Sequence, residues 1–144
     1  MRGAVCWGVH YIIYEGTSEE KTHPSPGLDL CGDRDLESVS PGDTVWVVTR
    51  MGGARGLPGL CGRLTAAGVA PHLRGDAEFD ETHSDCRYLL LVDEVRSTRC
   101  EPIRCDAIVS WDIWRRPFRG VRPLTDEQGR TLEAEWGRGD RRDR

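Results

Sequence analysis

Aromatic and basic residues alternate in one short stretch near the end of the sequence. Trp111, Trp114 and Phe118 are interleaved with four arginines, and no acidic residue lies among these arginines, which are Arg115, Arg116, Arg119 and Arg122. Aromatic rings can stack on nucleobases, and guanidinium groups bind phosphate. The stretch therefore predicts a nucleic-acid-binding surface. Core packing of the rings and a solvated face for the arginines are the alternative interpretation.

Two further segments offer groups for the same chemistry. Trp7 and His10 lie in a predicted strand, and an imidazole both donates and accepts hydrogen bonds. Residues 50–56 combine two arginines with three glycines, whose backbone N–H groups can surround an anion; an ordinary flexible hairpin loop is the alternative. The predicted base pocket consists of Trp7, His10, Trp111, Trp114 and Phe118. The predicted phosphate contacts are Arg50, Arg55, Arg115, Arg116 and Arg119, whereas Trp46 and Trp136 are assigned to the core.

The sequence gives little indication of catalysis or of a metal. It contains no G-x-S-x-G, H-E-x-x-H or Walker-type motif, so we predict neither a catalytic residue nor a cofactor. Four residues could supply soft ligands for zinc: His83, Cys86, Cys100 and Cys105. Only one pair among them comes near the spacing of paired zinc-ligand motifs, so we expect no metal site.

Length and composition indicate one globular domain. A chain of 144 residues with 38% hydrophobic and 31% charged residues can bury a core of its own. Its net charge of −4 argues against a broad basic surface. All basic residues except Lys21 are arginines, which is typical of a GC-rich bacterial genome. No apolar run is long enough for a membrane span and no signal peptide is evident, so we expect a cytoplasmic protein with reduced cysteines and no membrane partner.

Local patterns predict the elements that would position these groups. Ser40-Pro41-Gly42-Asp43 predicts a tight turn after one or two helical turns over residues 33–39, and Gly62 predicts a β-bulge. Thr125 and Gln128 form a capping box that begins a helix, which we expect to end at Gly137. Five segments are predicted as strands: residues 4–14, 44–49, 59–67, 87–95 and 103–110.

The order of features in Leu36–Arg63 resembles the PUA-like superfamily, and within it the EVE-type and YTH-related domains found beside modification-dependent restriction nucleases. The shared features are a short helix, Pro-Gly-Asp, an apolar strand, a Gly-rich loop and the returning Gly62-Arg63-Leu64. The resemblance implies an α+β, β-rich fold. Its core would be a PUA-like curved sheet or pseudo-barrel of about five or six strands, flanked by short helices and a C-terminal helix. Residues 1–137 would form this single domain, and residues 138–144 a charged tail.

The function that this resemblance implies is recognition of a modified base, for example a methylated one, in an aromatic pocket. The partner would be DNA or RNA, and a separate nuclease is a possible second partner. Two alternatives stay open at this point. One is a protein-interaction or regulatory module that uses the acidic N-terminal half, and the other is a small enzyme with a cysteine or histidine in a pocket.

Overall fold

Strands dominate the regular structure, as the β-branched and aromatic runs of the sequence predict. The computed structural model describes residues 8–17, 30–32, 34–51, 56–71, 88–115 and 121–142. Short 3-10 helices occupy Arg34–Ser38, Glu94–Arg96 and Asp106–Ser110. The other elements in these ranges are β1 (His10–Thr17), β2 (Leu30–Gly32), β3 (Thr44–Met51), β4 (Leu57–Pro71), β5 (Tyr88–Val92), β6 (Thr98–Arg104), α1 (Asp112–Arg115), β7 (Val121–Pro123) and α2 (Asp126–Arg142).

The strands form one mixed sheet with the order β2-β5-β4-β3-β1-β7, and β6 also pairs with β4. β1 runs parallel to β3, and the other pairings are antiparallel. Because β5 and β6 pair with successive parts of the long strand β4, they act as one partner interrupted at residues 93–97. The β-rich α+β class is thus confirmed. Within the described ranges no pairing joins β2 to β7, so the sheet is not closed into a barrel there.

Both faces of the sheet are covered, and β3 is therefore buried on each side. Residues 45–49 are all buried, which explains why this strand is a continuous apolar run with no alternation. The first face carries Tyr11, Ile13, Val45, Val47 and Leu64, together with Leu36 and Leu90. The second face carries Ile12, Trp46, Val48 and Leu60, together with Ile108, Trp114, Leu124 and Leu132.

The Pro-Gly-Asp turn has the conformation that the sequence predicts. Gly42 has a φ of 94°, which favours glycine, and the backbone N–H of Asp43 donates to the carbonyl of Ser40 at 3.0 Å. The buried Asp43 carboxylate accepts backbone N–H groups at 2.8 Å from both Val9 and Ser40. The turn therefore fixes the start of β1 as well as the start of β3.

Several predicted boundaries are wrong. The strand predicted over residues 4–14 begins at His10 within the described residues and continues to Thr17, and the strand predicted over residues 87–95 ends at Val92, because Asp93 caps a 3-10 helix there.

The segment 103–110 is predicted as a strand, but β6 ends at Arg104 and a 3-10 helix follows, because Asp106 and Ala107 are poor strand formers and Ile108 is buried on the second face. The C-terminal helix continues through Gly137 to Arg142, since an internal glycine costs a helix only about 1 kcal/mol. The predicted bulge is present, since the pairings of β4 shift between Leu60 and Gly62.

The long helix α2 begins as the capping box predicts. The Thr125 N–H donates to Gln128 Oε1 at 2.9 Å, and the Gln128 N–H donates to Thr125 Oγ1 at 3.1 Å. Leu132 of this helix is fully buried on the second face. In the ranges that the structure describes, neither α2 nor any other helix has the length and hydropathy that a membrane crossing requires.

We expect Asp43→Asn to destabilise the fold by roughly 1–3 kcal/mol, because an amide nitrogen would then face one of the two backbone N–H groups that the carboxylate accepts in this partly buried turn. Urea unfolding followed by circular dichroism measures this difference. Glu101→Gln is the control, since it removes one acidic charge from an exposed position on β6. Equal stability losses in the two variants would show that the Asp43 carboxylate does not hold the turn.

Candidate ligand pocket at His10

A polar cavity of about 600 Å³ opens on the second face of the sheet, beside the Pro-Gly-Asp turn. Its walls come from the starts of β1 and β3, the middle of β4, the turn between β5 and β6, and α2. We call it the His10 pocket; its lining residues are Gly8, His10, Gly42, Thr44, Arg63, Thr65, Arg96 and Glu133. Charged and hydroxyl groups thus converge in the pocket, whereas the neighbouring part of the same face is a packed apolar core.

The position and tautomer of His10 are set by Trp46. The fully buried indole of Trp46 donates its Nε1–H to His10 Nδ1 at 3.0 Å, and the two rings are nearly parallel, with an angle of 11° between their planes. Because an indole nitrogen can only donate, Nδ1 must be the unprotonated nitrogen. The neutral imidazole therefore carries its proton on Nε2, which makes Nε2–H a hydrogen-bond donor.

A charged pair forms part of the pocket wall. Arg63 Nε of β4 donates to Glu133 Oε1 of α2 at 2.6 Å, and both side chains are partly exposed. The Arg63 guanidinium also lies 5.5 Å from the centroid of the Trp46 ring, within cation–π range. Trp46 thus positions both His10 and Arg63 from beneath the pocket.

Burial lowers the pKa of His10 below its ordinary value of 6.5, and the positive charge of Arg63 acts in the same direction. The carboxylates of Glu133, Asp126 and Asp43 act in the opposite direction, but the net shift is downward. The hydrogen bond from Trp46 favours the same outcome, because it is made to the neutral ring. His10 is therefore an uncharged donor at neutral pH.

Two glycines allow the backbone to approach these groups closely. A Cβ at Gly129 of α2 would lie 2.5 Å from His10 Cδ2, and a Cβ at Gly8 would lie 2.5 Å from the carbonyl oxygen of Gly42. Gly129 lets the helix pack directly on the imidazole ring, and Gly8 lets the start of β1 pack on the turn. Both contacts fix walls of the pocket.

Of the sequence-predicted base-pocket residues, the structure places only His10 in this pocket among those it describes. Trp114 is buried on the second face, with its ring edge-to-face against Tyr14, and Trp111 packs against the same cluster. Trp7 and Phe118 lie outside the described residues. Neither Trp111 nor Trp114 is among the residues that line the His10 pocket. Trp46 is in the core as predicted, and Trp136 packs edge-to-face against it.

Of the predicted phosphate contacts, the structure describes Arg50 and Arg115, and neither is among the residues that line the His10 pocket. The Arg50 guanidinium lies 4.2 Å from the centroid of the Trp114 ring, and its NH groups donate to the carbonyls of Gly56 and Trp114 at 3.4 Å. Arg115 ends α1. Arg55, Arg116 and Arg119 lie outside the described residues. Arg50 therefore packs on a core aromatic ring away from the residues that line the His10 pocket.

Sequence reasoning missed most residues of the pocket. Thr44, Arg63, Thr65, Arg96 and Glu133 come from four separate elements, and no local motif joins them. Two weak signals existed: Arg63 belongs to the Gly-Arg-Leu motif, and Glu133 lies four residues after Gly129, on the same side of a helix.

The sequence raises two roles for cysteine: a reactive group in an enzyme pocket and a ligand for zinc. Burial is the largest of the effects that raise the pKa of the Cys105 thiol to about 11, so this cysteine is a poor nucleophile at neutral pH. His83 and Cys86 lie outside the described residues. In the part of the chain that the structure covers, histidine, cysteine and acidic residues form no group of three or more that could hold a metal ion.

Comparison with known protein families finds no match, and no curated protein is significantly similar to this chain. The geometry of the His10 pocket is therefore the basis for a functional argument.

We expect Gly129→Ala and Gly137→Ala to have opposite effects on stability, although both replace a glycine within α2. A Cβ at Gly137 meets no atom within 4 Å, so alanine there should stabilise the fold by up to about 1 kcal/mol. A Cβ at Gly129 would collide with the His10 ring and should destabilise it. Urea unfolding measures both. If Gly129→Ala is as stabilising as Gly137→Ala, the helix does not pack on His10 as described.

We also expect His10 to make the stability depend on pH. An unfolded histidine titrates near 6.5, whereas burial lowers the pKa of His10 in the folded chain. As the pH falls through 6.5, the unfolded chain binds more protons than the folded one, so the free energy of unfolding decreases. Between about pH 7.5 and about pH 5.5, the wild type should therefore lose more stability than His10→Asn, whose amide oxygen can still accept from Trp46. A parallel loss in both proteins would contradict this, and an NMR titration of His10 gives the pKa directly.

Proposed function

We propose that this chain is a nucleic-acid-binding domain that accepts a modified base in the His10 pocket. The observation that supports the proposal best is the convergence of a fixed donor, an ion pair and two threonines in one cavity. The PUA-like resemblance of residues 36–63 points to the same function. The proposed role is recognition, in partnership with DNA or RNA, and any cleavage would belong to a separate nuclease.

The pocket has the size of a small-molecule site, and its polar groups suit the edge of a nucleobase. Small-molecule sites commonly measure about 300–1,000 Å³, and this cavity measures about 600 Å³. The edge of a base is an array of donors and acceptors. His10 offers Nε2–H as a donor, Glu133 offers carboxylate oxygens as acceptors, and Thr44 offers a hydroxyl group that does both. The Thr65 hydroxyl donates its proton to the Arg96 carbonyl, so it offers the pocket an acceptor only.

Phosphate binding would fall to arginines at the rim. Arg96 lines the pocket, and its side chain is 73% exposed, so its guanidinium is accessible to a backbone phosphate. We add it to the sequence-based candidates Arg55, Arg115, Arg116 and Arg119, which remain predictions. Trp7, which directly precedes Gly8 in the sequence, remains the candidate for an aromatic wall.

The tautomer of His10 favours binding over catalysis. A general base needs an unprotonated nitrogen that faces the substrate. In His10 that nitrogen is Nδ1, and Trp46 occupies it. The remaining Nε2–H can hold an acceptor in place but cannot remove a proton, so His10 is suited to reading a base edge.

We expect a modified oligonucleotide to bind more tightly than an unmodified one of the same sequence, and the binding of both to weaken as salt rises. His10→Asn keeps the acceptor for Trp46 but has no group in place of Nε2–H. It should lower affinity for the modified oligonucleotide about tenfold, the effect of roughly 1.4 kcal/mol, and leave affinity for the unmodified one unchanged. Fluorescence anisotropy with oligonucleotides that carry 5-methylcytosine, 5-hydroxymethylcytosine or N6-methyladenine measures this.

Two results would overturn the proposal. The first is equal or undetectable binding of modified and unmodified oligonucleotides across the whole panel. The second is a modified-base preference that His10→Asn leaves intact, because the preference would then arise elsewhere in the chain.

A further inference from the structure

Several polar groups that line the His10 pocket have no hydrogen-bond partner in the part of the chain that the structure describes. They include His10 Nε2, the Thr44 hydroxyl and the Oε2 oxygen of Glu133. The other carboxylate oxygen, Glu133 Oε1, accepts from Arg63 Nε at 2.6 Å. Convergent polar groups of this kind fix the orientation of a ligand in a pocket. These groups are therefore the ones that a ligand can pair with.

Glu133 and His10 are neighbours in this pocket. Gly129 packs on the imidazole ring, and Glu133 follows one helical turn later on the same side of α2. Of the charged groups that act on the pKa of His10, Glu133 has the largest effect. The carboxylate thus lies close to the imidazole, and both face the same cavity.

The hydrogen-bonding character of each group is fixed from behind. His10 can only donate to a ligand, because Trp46 holds its unprotonated nitrogen. The carboxylate of Glu133 can only accept, and Arg63 leaves its Oε2 to the ligand. A ligand group that pairs with both residues must accept and donate at once. A hydroxyl group does so, whereas a carbonyl oxygen only accepts and a methyl group does neither.

The rest of the described lining is polar as well. Apart from two glycines, every residue in it has a polar side chain. Burying a methyl group is favourable when the surroundings are apolar. Against these walls a methyl group would displace water and leave the polar groups unpaired, which is unfavourable. The described walls therefore suit an oxygen-bearing substituent better than a methyl group.

From these contacts, and resting on the proposed function, we infer that Glu133 is the specificity-determining residue of the pocket. It selects a base with a hydroxyl-bearing substituent over a methylated base. The hydroxyl donates to Glu133 Oε2 and accepts from His10 Nε2–H. Arg63 is a positioning residue, because it holds the other carboxylate oxygen and so directs Oε2 to the ligand.

The test variant, Glu133→Gln, turns an acceptor into a donor at one point of the wall. Because Arg63 Nε–H can only donate, the amide oxygen must take the place of Oε1, and the NH2 group then faces the ligand. Glu127→Gln is the control. It removes the same charge from an exposed position of α2 that does not line the pocket.

The probes are single-stranded oligonucleotides of one sequence, and fluorescence anisotropy measures their affinities. The central cytosine is unmodified or carries a 5-methyl, 5-hydroxymethyl or 5-formyl group. The formyl group resembles the hydroxymethyl group in size, but its oxygen only accepts. A further probe carries N6-methyladenine in place of adenine, and it tests modified-base binding independently of the cytosine substituents.

The wild type and Glu127→Gln should bind the hydroxymethyl probe about tenfold more tightly than the methyl and formyl probes. Glu133→Gln should bind the formyl probe at least as tightly as the hydroxymethyl probe, because two donors then face the substituent. Removal of a negative charge strengthens binding of all probes alike, so the order of affinities is the readout. Thermal unfolding should show similar stability in all three proteins, since an ion pair between partly exposed side chains contributes little.

The outcomes separate this inference from the function on which it rests. If the wild type binds the methyl or the formyl probe as tightly as the hydroxymethyl probe, or if Glu133→Gln keeps the wild-type order, Glu133 does not select the substituent. The proposed function still stands if any modified probe, N6-methyladenine included, binds more tightly than the unmodified oligonucleotide. If none does, the proposed function fails and this inference fails with it.

Discussion

A buried indole N–H has to find a hydrogen-bond acceptor, and in this chain the acceptor for Trp46 is His10 Nδ1. Trp46 is fully buried in the central strand, where an unpaired donor would cost roughly 1–3 kcal/mol. The bond therefore constrains the register of β1 against β3, the tautomer of His10 and the position of the ring that α2 must accommodate at Gly129. The need to pair the buried N–H of Trp46 therefore fixes a central residue of the pocket, His10.

The elements that the sequence predicted well are those decided by neighbouring residues. The Pro-Gly-Asp turn and the Thr125–Gln128 capping box depend on groups within three positions of each other. β3 is recognisable in the sequence as a continuous apolar run, because both of its faces are covered. The pocket could not be predicted in this way, because Trp46 and His10 are 36 positions apart and Arg63 and Glu133 are 70 positions apart. Their meeting depends on the sheet order and on the angle of α2, which local patterns do not contain.

The alternation of tryptophan and arginine shows how one pattern can have two physical origins. Trp114 does lie against an arginine, but that arginine is Arg50, at the end of β3. The ring is buried from one side by the core and is covered from the other by a guanidinium whose stem is apolar. A pairing of aromatic and basic residues that suits a nucleic-acid surface therefore also suits the boundary of a core. The segments on either side of this boundary, residues 52–55 and 116–120, lie outside the described residues.

The helix α2 makes the pocket rigid because it belongs to the core and to the pocket at once. Gly129, Leu132, Glu133 and Trp136 follow the spacing of one side of a helix. Leu132 is fully buried and Trp136 packs on Trp46, so Glu133 cannot shift without disturbing packed residues. The polar groups are thus ordered by folding, and a ligand need not order them. If the pocket binds a base as proposed, it would select ligands chiefly through the free-energy cost of a donor left unpaired. The imidazole cannot rotate without depriving Trp46 of its acceptor, so a ligand with no acceptor opposite Nε2–H leaves that donor unpaired.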